Sequence, residues 1–108
     1  MRQELASVTD RINALLDRLE RGESPDRAAL EHTLTDGYAW ALDLDAECDR
    51  LGRRISQHAA DLGPDHSVEQ ARELSALARQ LGRRRRELTS LRDLLAVLRA
   101  GVQQARVA

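Results

Sequence analysis

Apolar residues recur along this chain at alternating steps of three and four, in three separate stretches. The first is Leu5, Val8, Ile12, Leu15 and Leu19. The second is Leu30, Leu34, Gly37, Ala41, Leu44, Cys48, Leu51, Ile55, His58 and Leu62. The third is Leu74, Leu77, Leu81, Arg84, Leu88, Leu91, Leu95, Leu98, Val102 and Ala105. This alternation is the heptad a/d pattern, which buries one narrow stripe of a helix against another helix. It predicts an all-α fold.

The punctuation between the stretches sets the helix limits. Gly22 after Arg21 suits a left-handed residue that ends a first helix over about residues 3–21. Ser24, Pro25 and Asp26 suit a helix start, as cap, first helical position and acidic first turn. The second helix is expected over about 25–62, stopped by Gly63-Pro64. Ser67 and Gln70 form a capping-box pattern that opens a third helix, running to about residue 100 or beyond. Thr35-Asp36-Gly37 resembles a turn. The stripe keeps its register across it, however, so a continuous second helix is expected.

Short connections make neighbouring helices antiparallel. With the second turn centred near residue 64 or 65, Ile55 faces Leu74, Leu51 faces Leu77, Cys48 faces Leu81 and Leu34 faces Leu95. The first turn sets Leu5 beside Leu42 and Val8 beside Tyr38 or Ala39. The apolar face is broad at Leu94, Leu95, Val97, Leu98 and Val102, and again at Tyr38, Trp40 and Leu42. It is thin beyond Ala46 and before Arg92. The expected architecture is one helical domain, 1–108. It is an antiparallel three-helix bundle with a short helix 1 and long helices 2 and 3, and a coiled-coil-like helical hairpin arm.

Composition supports this and narrows the chemistry. Charged residues make up 32% of the chain and aromatics 2%, with no Phe, one Trp and one Tyr, so the core is aliphatic. All 17 cationic residues are arginine, whose planar fork pairs bidentately with carboxylates. The net charge of −1 argues against a general polyanion binder. The charge is unevenly placed: residues 1–66 carry 8 Arg and 14 acids, residues 67–108 carry 9 Arg and 4 acids. The single cysteine, Cys48, makes no intrachain disulfide, which fits a reducing compartment. With no leader-like or membrane-length apolar run, a cytoplasmic location is expected.

The sharpest local feature is Arg83-Arg84-Arg85-Arg86. In one reading these residues pair with the run Asp43, Asp45, Glu47 and Asp49. Asp43 then lies near Arg86 and Asp45 near Arg84, as e/g charges fix coiled-coil register. In another they form a solvated face. In a third, with Arg53, Arg54 and Arg79, they bind nucleic acid, although no aromatics interleave them. His58 falls on the stripe, as a boundary residue or a pH-sensitive element. His66 falls in the turn. His32 and Asp36 share a helix face, half of a metal site, but no E-x-x-H pair accompanies them and Cys48 has no second thiol. No metal, cofactor or catalytic residue is expected. No phosphate-binding glycine loop and no nucleophile elbow occur.

These readings combine into an expected function. The chain is expected to be a non-catalytic protein–protein interaction module, a self-associating scaffold, adaptor or small regulator, with a dimer favoured. Its interface candidates are Trp40, Cys48, Leu51, Ile55, Leu74, Leu77 and Leu81. The alternative is a nucleic-acid-associated protein using Arg83–Arg86.

Overall fold

The structure is a computed structural model that describes residues 4–107. It consists of three helices: α1 (Leu5–Glu20), α2 (Arg27–Asp61) and α3 (Val68–Val107). This is the all-α three-helix bundle expected, with α1 short and the long α2 and α3 packed together. The first position of the predicted helix 1, residue 3, lies outside the described residues.

Local chemistry accounts for most of the helix ends. Gly22 takes φ +76°. The Gly22 N–H donates to Leu19 O and the Glu23 N–H to Arg18 O, both at 3.0 Å. These two bonds are a Schellman closure. At the start of α3, Ser67 Oγ accepts from the Gln70 N–H at 3.1 Å, and Gln70 Oε1 accepts from the Ser67 N–H at 2.9 Å. That reciprocal pair is the predicted capping box. Helix α2 begins two residues later than expected. Its cap is Asp26, whose Oδ2 accepts from the Ala29 N–H at 3.3 Å. Ser24 and Pro25 belong to the connection, because the carboxylate takes the capping role assigned to the Ser24 hydroxyl.

The chain gathers into two compact units. Unit 1 comprises Met1–Leu42 and Thr89–Ala108; unit 2 comprises Asp43–Leu88. In unit 1, α1 contributes Val8, Ile12 and Leu15, α2 contributes Leu30, Ala41 and the buried Thr33, and α3 contributes Leu91, Leu95 and Leu98. Each fully buried Leu or Ile is worth ~1.5–3 kcal/mol over an exposed one. The core stripe on α2 runs through Thr33 rather than Leu34, which is half-buried. Thr33, Gly37 and Ala41 are spaced four apart and so share one face of α2.

Gly37 explains why the turn-like tripeptide does not break α2. A Cβ there would sit 2.6 Å from Leu95 Cδ2, so the glycine is where a buried leucine of α3 meets bare backbone. Asp36 points to the other neighbour: Arg11 Nη2 of α1 donates to its Oδ2 at 2.6 Å. Asp36 is thus an interhelical ion-pair partner rather than a turn former or half of a metal site. Arg11 Nε is buried and without a hydrogen-bond partner among the described residues, which reduces the net gain from that pair.

The flanks of unit 1 are narrower than predicted. Val97 is 55% exposed, Leu42 71% and Tyr38 39%. The buried face of α1 covers the stripe and leaves these flanking positions to solvent. The broad face read from the sequence is therefore a covered stripe with an uncovered apolar margin.

Two glycines in α2 give opposite expectations. Gly52 has nothing within 4 Å of an added Cβ. Gly52→Ala should stabilise the fold by ~1 kcal/mol through helix propensity. Gly37→Ala should destabilise it by ~1 kcal/mol or more, because displacing the buried Leu95 outweighs the propensity gain. Urea denaturation of both variants checks this. Equal shifts of the same sign would contradict the packing role of Gly37.

Candidate functional site

Unit 2 contains the α2 and α3 segments that carry most of the interface and charge candidates. Cys48, Leu51, Leu77 and Leu81 form one buried cluster, with Ile55 packed against it and partly exposed. Leu74, the next α3 stripe position toward the turn, is half-buried. Five of the seven interface candidates therefore come together. Trp40 does not: it lies in unit 1, where it is half-buried. The stripe also ends earlier than predicted. His58 is exposed, as are its neighbours Ser56, Gln57, Ala59 and Ala60. A core element or buried pH sensor at His58 is therefore excluded.

Charge placement differs from the sequence reading in an instructive way. Arg84 pairs with Glu47, a member of the acid run. Its Nε donates to Glu47 Oε1 at 3.0 Å, and its Nη1 donates to Glu87 Oε1 at 3.2 Å and Oε2 at 3.3 Å. Glu47 is two residues nearer the turn than Asp45. The cause is the direction of helical side chains. Every Cα–Cβ bond tilts toward its helix N-terminus, so a side chain covers a spot about one position N-terminal of its Cα. On α3 that tilt is toward the turn, and on α2 it is away from it. Partners therefore meet about two residues from where aligned Cα positions put them. Leu95 meets Gly37 instead of Leu34 in the same sense within unit 1.

Arg84 sits on the stripe, so its charge is partly desolvated. Burial disfavours the guanidinium, but the charges and hydrogen bonds of Glu47 and Glu87 outweigh that. The net effect raises its pKa above the ordinary value. Arg83, Arg85 and Arg86 are exposed. Arg84 has carboxylates of both Glu47 and Glu87 in ion-pair distance. Asp43 and Arg86, the expected pair at the far end of the two runs, are both exposed. Asp45 is half-buried and Asp49 exposed.

Cys48 is the one thiol, and it is buried. Burial raises its pKa above 9.0; Arg85 opposes this, and Asp45, Glu47 and Asp49 add to it. The thiol is therefore protonated at neutral pH, which suppresses nucleophilic attack and metal ligation. The three histidines are all exposed. Among the described residues, no three His, Cys, Asp or Glu side chains come together as a metal site, and no helix is long and apolar enough to cross a membrane. Comparison with protein-family models, with characterised proteins and with solved structures gives no match.

Sequence reasoning missed Glu87 as the second partner of Arg84. The three-residue spacing was visible, since i and i+3 share a helix face.

Two outcomes follow from this geometry. Glu47→Gln should cost about 0.5–1 kcal/mol at low salt and less at 1 M salt, because a pair this exposed is screened. Denaturation at the two salt concentrations measures it. The raised folded-state pKa of Cys48 means the native state holds the thiol proton longer than the unfolded chain. Its contribution to stability is thus constant below the ordinary thiol range and declines as pH rises through and above that range. A disulfide-exchange reagent should accordingly react slowly at pH 8 and rapidly once the chain is unfolded. Fast reaction in the native state would contradict the burial.

Proposed function

We propose that the chain is a non-catalytic interaction module that self-associates, with a dimer favoured, through the seam edges of unit 2. One observation carries this reading. The cluster of Cys48, Leu51, Leu77 and Leu81 is drawn from two helices among the described residues, and Ile55 packed on it stays partly exposed. A pair of helices covers a stripe one side chain deep, and its flanks stay open. A second pair laid against those flanks makes a four-helix core, an arrangement that antiparallel hairpins adopt readily. Partly exposed Ile55 and Leu74 would become buried there, at ~25 cal/mol per Å² of apolar surface removed from water.

The state of the titratable groups favours a role without catalysis. The thiol is buried and protonated and the three histidines are exposed, so the one cysteine is not an activated nucleophile. The lone unpaired cysteine fits the reducing cytoplasm. The role that follows is a small scaffold, adaptor or regulator, with another protein as the other possible occupant of the seam.

Absolute mass by light scattering on a size-exclusion column tests this. The expected mass is twice the 12.1 kDa of one chain. Ile55→Glu and Leu74→Glu should each return it to one chain while the circular dichroism stays helical. These edge positions are preferable to Leu77, whose burial makes a charge there unfold the unit itself. Raising salt should leave the dimer intact. A parent chain monomeric across its accessible concentration range would contradict the proposal.

A further inference from the structure

The arginines of unit 2 are grouped more tightly than the run of four suggests. Residues 50–60 of α2 carry Arg50, Arg53 and Arg54 and no acid. Residues 74–86 of α3 carry Arg79 and Arg83–Arg86 and no acid. These two segments flank the same core cluster of Leu51, Leu77 and Leu81. All eight of these arginines except Arg84 are exposed. The near-zero net charge of the whole chain conceals this interval, because acids at 43–49 and 61–73 border it on both sides.

A shallow groove on α3 lies within the interval, lined by Arg79, Arg83 and Arg86 with Ala76, Ala78 and Gly82. Positions 79, 83 and 86 are spaced by four and three, so the guanidiniums share one face, about one helical turn apart. Gly82 has no Cβ, and the nearest atom to where one would sit is Arg86 Nη1, at 3.5 Å. Backbone and guanidinium thus border the same space.

We infer that this arginine face binds the phosphate backbone of double-stranded nucleic acid without reading its sequence. Guanidinium forks match phosphate oxygens bidentately, so a row of them suits a repeating phosphate ligand. The groove walls decide against an acidic protein segment. They offer only alanine and glycine between the arginines, with no apolar pocket to seat the anchor side chain on which protein interfaces depend. The absence of aromatics decides against single strands. The one Trp and one Tyr are residues 40 and 38, both in unit 1, and neither His58 nor His66 lines the groove, so the groove itself carries no ring on which unpaired bases stack. Duplex backbone needs neither feature, since its binding is electrostatic and driven by counterion release.

Fluorescence anisotropy with a labelled mixed-sequence DNA duplex, at salt from 50 to 200 mM, tests the inference. Three phosphate contacts give a log–log salt slope of about −2.7, hence roughly 40-fold weaker binding across that range. Each of Arg79→Gln, Arg83→Gln and Arg86→Gln should lower the slope by about 0.9, so that a single variant weakens only about 12-fold across the same range. The triple glutamine variant should abolish binding with helicity unchanged. The triple lysine variant, with the same charge, should keep the slope. Three results would overturn the inference: no binding at 50 mM salt, binding untouched in the triple glutamine variant, or poly-glutamate or a single strand competing as well as the duplex does. The proposed dimer fails separately, because it is read as mass without nucleic acid and survives salt that dissociates the duplex.

Discussion

The structure depends on one constraint: an aliphatic stripe, about one side chain wide, must serve as the core. With no Phe and its only two aromatics at positions 38 and 40, the chain has no large rings to fill space between helices. Helices must therefore come close together. Gly37 shows how far this goes, since Leu95 occupies the space its Cβ would take. Thr33 and Ala41, on the same face of α2, keep that approach open over two turns. Where a third helix supplies Val8, Ile12 and Leu15, the stripe becomes a closed core.

Unit 2 meets the same constraint with two helices and an ion pair. Arg84 takes a stripe position where a leucine would otherwise lie, and its charge is tolerated because Glu47 and Glu87 both reach it. Such a pair contributes little net stability at this exposure, but it discourages other registers of α3 on α2, in which the guanidinium loses its partners. The surrounding apolar cluster is small and has open flanks. The proposal of self-association rests on that openness. The proposed duplex contact rests on the exposed arginines instead, which lie on other faces of the same segments.

Much of this was legible in the sequence. Heptad spacing gave three helices, Gly22 and the Ser67/Gln70 pair marked real ends, and the seam residues of unit 2 were the ones that cluster. The failures have specific physical causes. Thr33 is absent from the heptad stripe because a hydroxyl side chain reads as polar, although it is small and buried. His58 fitted the heptad, but the stripe frays there among exposed residues, so periodicity extended the core too far. Facing Cα positions point to residue 45 opposite Arg84, whereas the Glu47 contact forms two residues nearer the turn, where tilted side chains end. The exposure of Leu42 could not come from periodicity, which gives a direction on a helix and not the width of the neighbour that covers it.

Hydrogen exchange followed at several protein concentrations tests whether unit 2 closes its core by association, since it reports local opening amide by amide. Protection of residues 48–55 and 74–81 should rise with concentration. The amides of unit 1 around Ile12, Leu91 and Leu98 should keep a constant, high protection. Equal protection in both units, independent of concentration, would show that two helices alone close the core of unit 2, and would remove the basis for association there.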